Sequence, residues 1–165
     1  MKTKSIICVI ILIMVIAGCG QKKKIRVTLE KGAFNVYLGR WKGGYTYYDT
    51  DFKKVSSLKI TEMIIKVDDK NFEAKGTKTY EDEAERNFTT KFKIQNGLIM
   101  KMEREETEFQ KMLGSLRADS FVWMHSRKDD FIILKERVTK KQRVISGYEI
   151  MKGKVRFIKG KFVRE

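Results

Sequence analysis

The chain has 165 residues, 42% of them hydrophobic and 35% charged, with 36 basic residues against 21 acidic ones and a formal net charge of +15. That apolar content in a chain of this length suits one packed core, which excludes intrinsic disorder and argues against several domains. Two cysteines and one histidine are too few for a framework of several disulfides, and they leave few parts for a common zinc site or a histidine-assisted nucleophile.

In chain order, Lys2 and Lys4, then Ile6 to Ile16, then Ala17-Gly18 supply the positive, apolar and small-residue regions of a signal peptide. The apolar run is shorter than the about 20 residues that a membrane-spanning helix needs. Its end, Val15-Ile16-Ala17-Gly18-Cys19, resembles the lipobox of bacterial lipoproteins. By that resemblance residues 1–18 are removed and Cys19 becomes the first mature residue, carrying a diacylglycerol thioether and often a third acyl chain on its new amine. Two such chains suffice for stable anchoring. Cys8 falls in the discarded segment, so no disulfide and no free thiol nucleophile would remain. Gly20 stands where an aspartate is associated with inner-membrane retention, so the resemblance implies the cell envelope, and the outer membrane where there is one. Residues 19–24 then form the lipidated cysteine and a polar tether whose lysines could touch anionic headgroups or simply serve as a spacer.

Residues 25–165 read as a single antiparallel β domain. Period-two alternation recurs in runs separated by Gly, Asn and Asp turns, predicting strands at about 36–48, 58–67, 71–81, 119–126, 130–138, 143–151 and 154–163, plus two in a hairpin over 86–106. In that hairpin Phe88, Thr90, Phe92 and Ile94 share one face. Asn96-Gly97 then supplies the two positive-φ positions of a type I′ turn. Beyond it Leu98, Met100 and Met102 lie on one face, with Lys101, Glu103 and Glu105 opposite. The segment Phe109–Ala118, with Met112, Leu113 and Leu116 at 3–4 spacing, is expected to make a short helical turn. A long meander with one apolar face tends to curl and remove its edges by closure. The expected fold is therefore all-β, an up-and-down barrel of 8–9 strands, with a β-sandwich or an open curved sheet as the alternative.

Within the first strand, Gly39-Arg40-Trp41 resembles the opening motif of the lipocalin and calycin barrels. The resemblance implies that Trp41 plugs the barrel base under a basic residue from the last strand, for which Arg156 and Arg164 are the candidates.

Candidate chemistry is sparse. His125 reads as a structural strand residue. Carboxylates cluster at 81–85 and again at Glu103, Glu105 and Glu106, and both groups read as solvated charge. No metal site, no cofactor and no catalytic constellation is expected, and the chain is not read as an enzyme. Trp41, Tyr45 and Tyr47 share one parity of the first strand, as does Tyr37, and they could line a ligand cavity or simply be core. Two functions stay open. One is an envelope-anchored binding module for an apolar small ligand or an envelope lipid. The other is an interaction protein whose basic surface docks on anionic envelope polymers or on a protein partner, without a cavity. Nucleic acid is not expected, since no reader motif is present. An interior cavity separates the two.

Overall fold

The computed structural model describes residues 32–105, 108–117, 119–128 and 130–165. The expected signal peptide, Cys19 and the expected tether lie outside the described residues.

A 3-10 helix, η1 (Ala33–Tyr37), precedes ten strands: β1 (Gly39–Tyr48), β2 (Lys54–Lys66), β3 (Asn71–Tyr80), β4 (Glu85–Gln95), β5 (Leu98–Glu105), β6 (Glu108–Arg117), β7 (Ser120–Arg127), β8 (Asp130–Val138), β9 (Gln142–Met151) and β10 (Lys154–Arg164). Each pairs antiparallel with its sequence neighbours, and β10 returns to pair with β1, closing the barrel. All ten strands lie between residues 39 and 164, so the closed sheet is complete within the described part of the chain. Asn96 and Gly97 both have positive φ, 53° and 76°, as the tight turn between β4 and β5 demands.

The sheet has ten strands rather than 8–9, because the expected helical turn over Phe109–Ala118 is instead strand β6. Met112 and Gly114 point into the barrel while Leu113, 50% exposed, points out. An outward-facing Leu beside inward residues mimics helical spacing. Gly114 leaves no side chain because the Trp123 ring occupies the place, and a Cβ there would sit 2.5 Å from it.

The first strand begins at Gly39 and not at 36. Gly39 has φ +113°, a left-handed value that turns the chain out of η1 and into the sheet. The short helix carries Phe34 and Tyr37, three residues apart and so on one side of a single turn, into the base of the barrel. Phe34 is fully buried and meets Tyr37 at 4.4 Å, Phe72 at 4.7 Å, Phe92 at 5.0 Å and Phe121 at 5.9 Å between ring centroids. Its rings join β3, β4 and β7 at the bottom of the core. The other end of the barrel is open. Substituting Phe34→Ala should lower the free energy of unfolding by about 3–5 kcal/mol. Asn35→Ala, on the exposed side of the same turn, should change it by about 0.5 kcal/mol or less. Urea midpoints read both.

Candidate functional site

The floor of the cavity is a buried polar network built on inward positions that alternation would give to apolar side chains. Glu136 follows Ile132 and Leu134 along β8, Arg143 precedes Ile145 on β9, and Glu62 lies between Ile60 and Ile64 on β2. Glu136 accepts hydrogen bonds from the Tyr37 hydroxyl at 2.7 Å, Trp123 Nε1 at 2.8 Å and Arg143 Nε at 2.7 Å. Arg143 donates its other arm to Glu62. Its guanidinium also faces the rings of Phe162 at 4.6 Å and Tyr37 at 5.2 Å. Burial works against charge on Glu136, yet Arg143 and the three donors hold its carboxyl below the usual range. Burial, joined by the charge of Glu136, pushes the Tyr37 phenol well up.

Above the floor is a narrow chamber of about 130 Å³, flanked by Tyr45, Ile60, Phe88, Ile158 and Phe162. It widens into an open mouth of about 1000 Å³. Tyr47, Leu58, Lys78, Glu103 and Gln110 line both, so the two are one tapering cavity.

The mouth is strongly charged, because β5 presents its charged parity inward. Lys101 lies opposite Phe92, Glu103 opposite Thr90 and Glu105 opposite Phe88, while Met100 and Met102 face outward. Glu103 and Glu105 are thus not solvated surface charge, as expected from the sequence, but part of the cavity wall, with side chains 14% and 5% exposed. Lys78 on β3 bridges them at 2.6 and 2.5 Å and lies over the Phe88 ring. Lys101 reaches Glu103 at 3.3 Å, and the Tyr80 hydroxyl donates to Glu105 at 2.6 Å. Although burial opposes ionisation, Lys101 and Lys78 hold the Glu103 carboxyl down at about 2. Burial and then the hydrogen bond to Glu105 push the Tyr80 phenol up to about 12. Across the mouth Arg156 Nη2 meets Glu149 Oε1 at 2.5 Å, while Arg156 Nε is left without a hydrogen-bond partner among the described residues. Burial pushes the Glu149 carboxyl up.

Of the residues singled out from the sequence, Tyr45 and Tyr47 line the cavity. Trp41 does not: fully buried, it lies in the base, where its indole donates to the Tyr37 carbonyl at 2.6 Å. Arg164 covers it, with the guanidinium 4.5 Å from the ring and Nη2 donating to the Val36 carbonyl at 2.6 Å. Arg156 is at the opposite end of β10, over the Tyr47 ring. Gly39 sits in the turn into β1, against the Arg164 guanidinium. His125 lines the mouth, its Nδ1 donating to the Lys111 carbonyl at 2.6 Å. Among the described residues, no group of three or more His, Cys, Asp or Glu side chains is placed to hold a metal ion. The floor network was missed from the sequence. Its signal was an ionisable residue on an otherwise apolar parity, three times over, at positions 62, 136 and 143.

No protein-family model and no curated sequence matches the chain. Its fold is similar to that of the S-type phycobiliprotein lyase CPES from Guillardia theta, with a TM-score of 0.64 at 11% identity over 88% of this chain and 98% of that one. It is also similar to Rv2717c from M. tuberculosis, with a TM-score of 0.61 at 10% identity over 84% of this chain and 99% of that one. At such identities the likeness is one of fold, and it is compatible with a lipocalin-like barrel.

The charged mouth predicts an acid-sensitive fold. Glu103 titrates at about 2 in place of the usual 4.5, so its contribution is present above about pH 4.5 and is lost as pH falls toward 2, an effect of about 3 kcal/mol. Glu103→Gln should flatten that part of the profile of unfolding free energy against pH. At neutral pH it should cost about 3–5 kcal/mol, because Lys78 and Lys101 lose their shared partner.

Proposed function

We propose that the chain is a small-ligand binding module that holds an amphipathic molecule in the barrel, the apolar part against Tyr45, Ile60 and Phe162 and the polar end among the charges of the mouth. The observation that carries this reading is the continuous taper from an open mouth of about 1000 Å³ to an aromatic-walled inner chamber. Ligand pockets are typically of this size, mainly apolar, with a few polar groups that fix orientation. The charged mouth moves the reading away from a wholly apolar ligand. The barrel it shares with a phycobiliprotein lyase supports a module built around its interior.

The module is read as a binder rather than a catalyst because its ionisable groups are largely committed to one another. Glu136 is held by three donors, and Glu103 and Glu105 share Lys78. Anchoring in the cell envelope through a lipid on Cys19 belongs to the same proposal and is supported by the lipobox-like run that ends there. In a bacterial host, Cys19→Ser should move the protein from the membrane fraction to the soluble one.

The test of ligand binding is native mass spectrometry of the chain from residue 25, which contains every strand of the barrel, followed by organic extraction. A stoichiometric amphipathic adduct is expected, and Leu58→Trp, at the junction of the two chambers, should abolish it while leaving the circular dichroism unchanged. A clean, empty mass from the unsubstituted chain, from hosts with different envelope lipids, would count against the reading. A recovered molecule that the purified barrel chemically converts would replace the binder with an enzyme.

A further inference from the structure

The outside of the barrel is not uniform. On β7, β8, β9, β10 and β1, which are contiguous in the sheet, the outward positions among the described residues carry no Asp or Glu. The register sets an apolar row across them, with Met124 opposite Ile133, Ile133 opposite Tyr148, Tyr148 opposite Phe157 and Phe157 opposite Tyr48. One step toward the mouth, Phe131, Ile150 and Val155 form a second row. Phe52, 67% exposed, stacks on Phe157 at 5.0 Å and extends the patch. Met124 is 47% exposed, Tyr148 38% and Val155 37%.

Cations border this stripe on both sides. Toward the base the next outward row holds Lys135 and Lys159, and the row after it Arg137 and Lys161. At the mouth edge Lys128 and Lys152 are exposed in the turns and Lys154 at the start of β10. Among the described residues, the acids that flank the wall are Asp49 and Asp51, in the turn after β1, Asp130 at the mouth end of β8, Glu165 after β10, and Asp119, already paired with Arg137 at 2.7 Å. The other side of the barrel differs, since outward Glu73 and Glu85 are interspersed there with Lys75 and Lys91. Strands about 4.8 Å apart make the stripe about 20 Å wide, and the Lys135/Lys159 row lies about 7 Å from the apolar row beside it.

We propose that this wall is a docking surface for an anionic lipid bilayer, lying side-on with the apolar stripe at the level of the upper acyl chains and the two lines of cations among the headgroups. The chemistry is complementary in both respects. Aromatic and aliphatic side chains favour the interface between headgroup and hydrocarbon, and each lysine near an anionic surface adds attraction that salt screens. A soluble polyanion would use the cations and leave the stripe in water, and a second copy of this wall would set lysines against lysines. The proposal concerns the outside of the barrel and stands whether or not the cavity takes a ligand.

The chain from residue 25, which lacks the lipid acceptor, is mixed with phosphatidylcholine vesicles made with and without phosphatidylglycerol, and binding is read by co-sedimentation. Binding is expected to the anionic vesicles, weakening with salt. Both Lys135→Glu/Lys159→Glu and Met124→Ser/Val155→Ser should weaken it about tenfold or more, with circular dichroism unchanged. Lys75→Glu/Lys91→Glu on the other wall should weaken it markedly less. Phe157→Trp should be quenched by brominated acyl chains against the background of Trp41 and Trp123, which are buried inside. Failure to bind anionic vesicles would overturn the proposal. So would equal losses from substitutions on the two walls, binding to a soluble polyanion that the Met124/Val155 substitutions leave intact, or a dimer in solution that those substitutions dissociate.

Discussion

Everything inside the barrel is arranged around one guanidinium. Arg143 lies between Glu136 and Glu62, and through Glu136 it is joined to Tyr37 of the 3-10 helix and to Trp123 of β7. Four strands and the plug therefore meet at one point. Burying three ionisable side chains is costly, and the cost is met only because their polar atoms find partners there in a low dielectric. Such a network is unforgiving, since removing one member leaves another charged and alone. It also fixes how far the cavity can extend, because the floor is a set of hydrogen bonds and not a soft apolar packing that could yield to a longer ligand.

The charged mouth follows the same logic at lower stakes. Lys78 serves two carboxylates from one position, and Lys101 supports one of them from the same strand. These groups stay ionised because each was placed beside its opposite, so the interior is polar without holding a large net field. The outer wall is the reverse, with cations and, among the described residues, no carboxylate at the outward positions of β10 and its neighbours. The cations inside the barrel thus stand beside carboxylates, while this outer wall keeps a share of the chain's basic excess.

The sequence carried the architecture well wherever period two and turn chemistry agreed. Asn96-Gly97 specified a hairpin because only that turn needs positive φ twice, and Tyr45 and Tyr47 face inward as their shared parity required. It failed where a side chain did not match its face. Leu113 is apolar and exposed, which turned a strand into an apparent helix. Met100 and Met102 are apolar and outward, which drew Glu103 and Glu105 to the surface in the reading and into the cavity in the structure. Phe34 and Tyr37 belong to a single helical turn too short to show a period. The floor network joins residues 81 apart in sequence, and no local pattern can pair Arg143 with Glu62.

The closure of the barrel by its last strand has a consequence in time. β1 pairs with β10, Trp41 opposite Arg164 and Tyr45 opposite Gly160, so the first strand has only one neighbour until nearly the whole chain exists. The seam joins the most distant segments of the domain, and contacts of such separation form late and slowly. Through synthesis, then, the chain would carry an open strand edge and an unroofed Trp41. Arg164, the residue that both covers that indole and ties back to the Val36 carbonyl, is the last clasp to fasten.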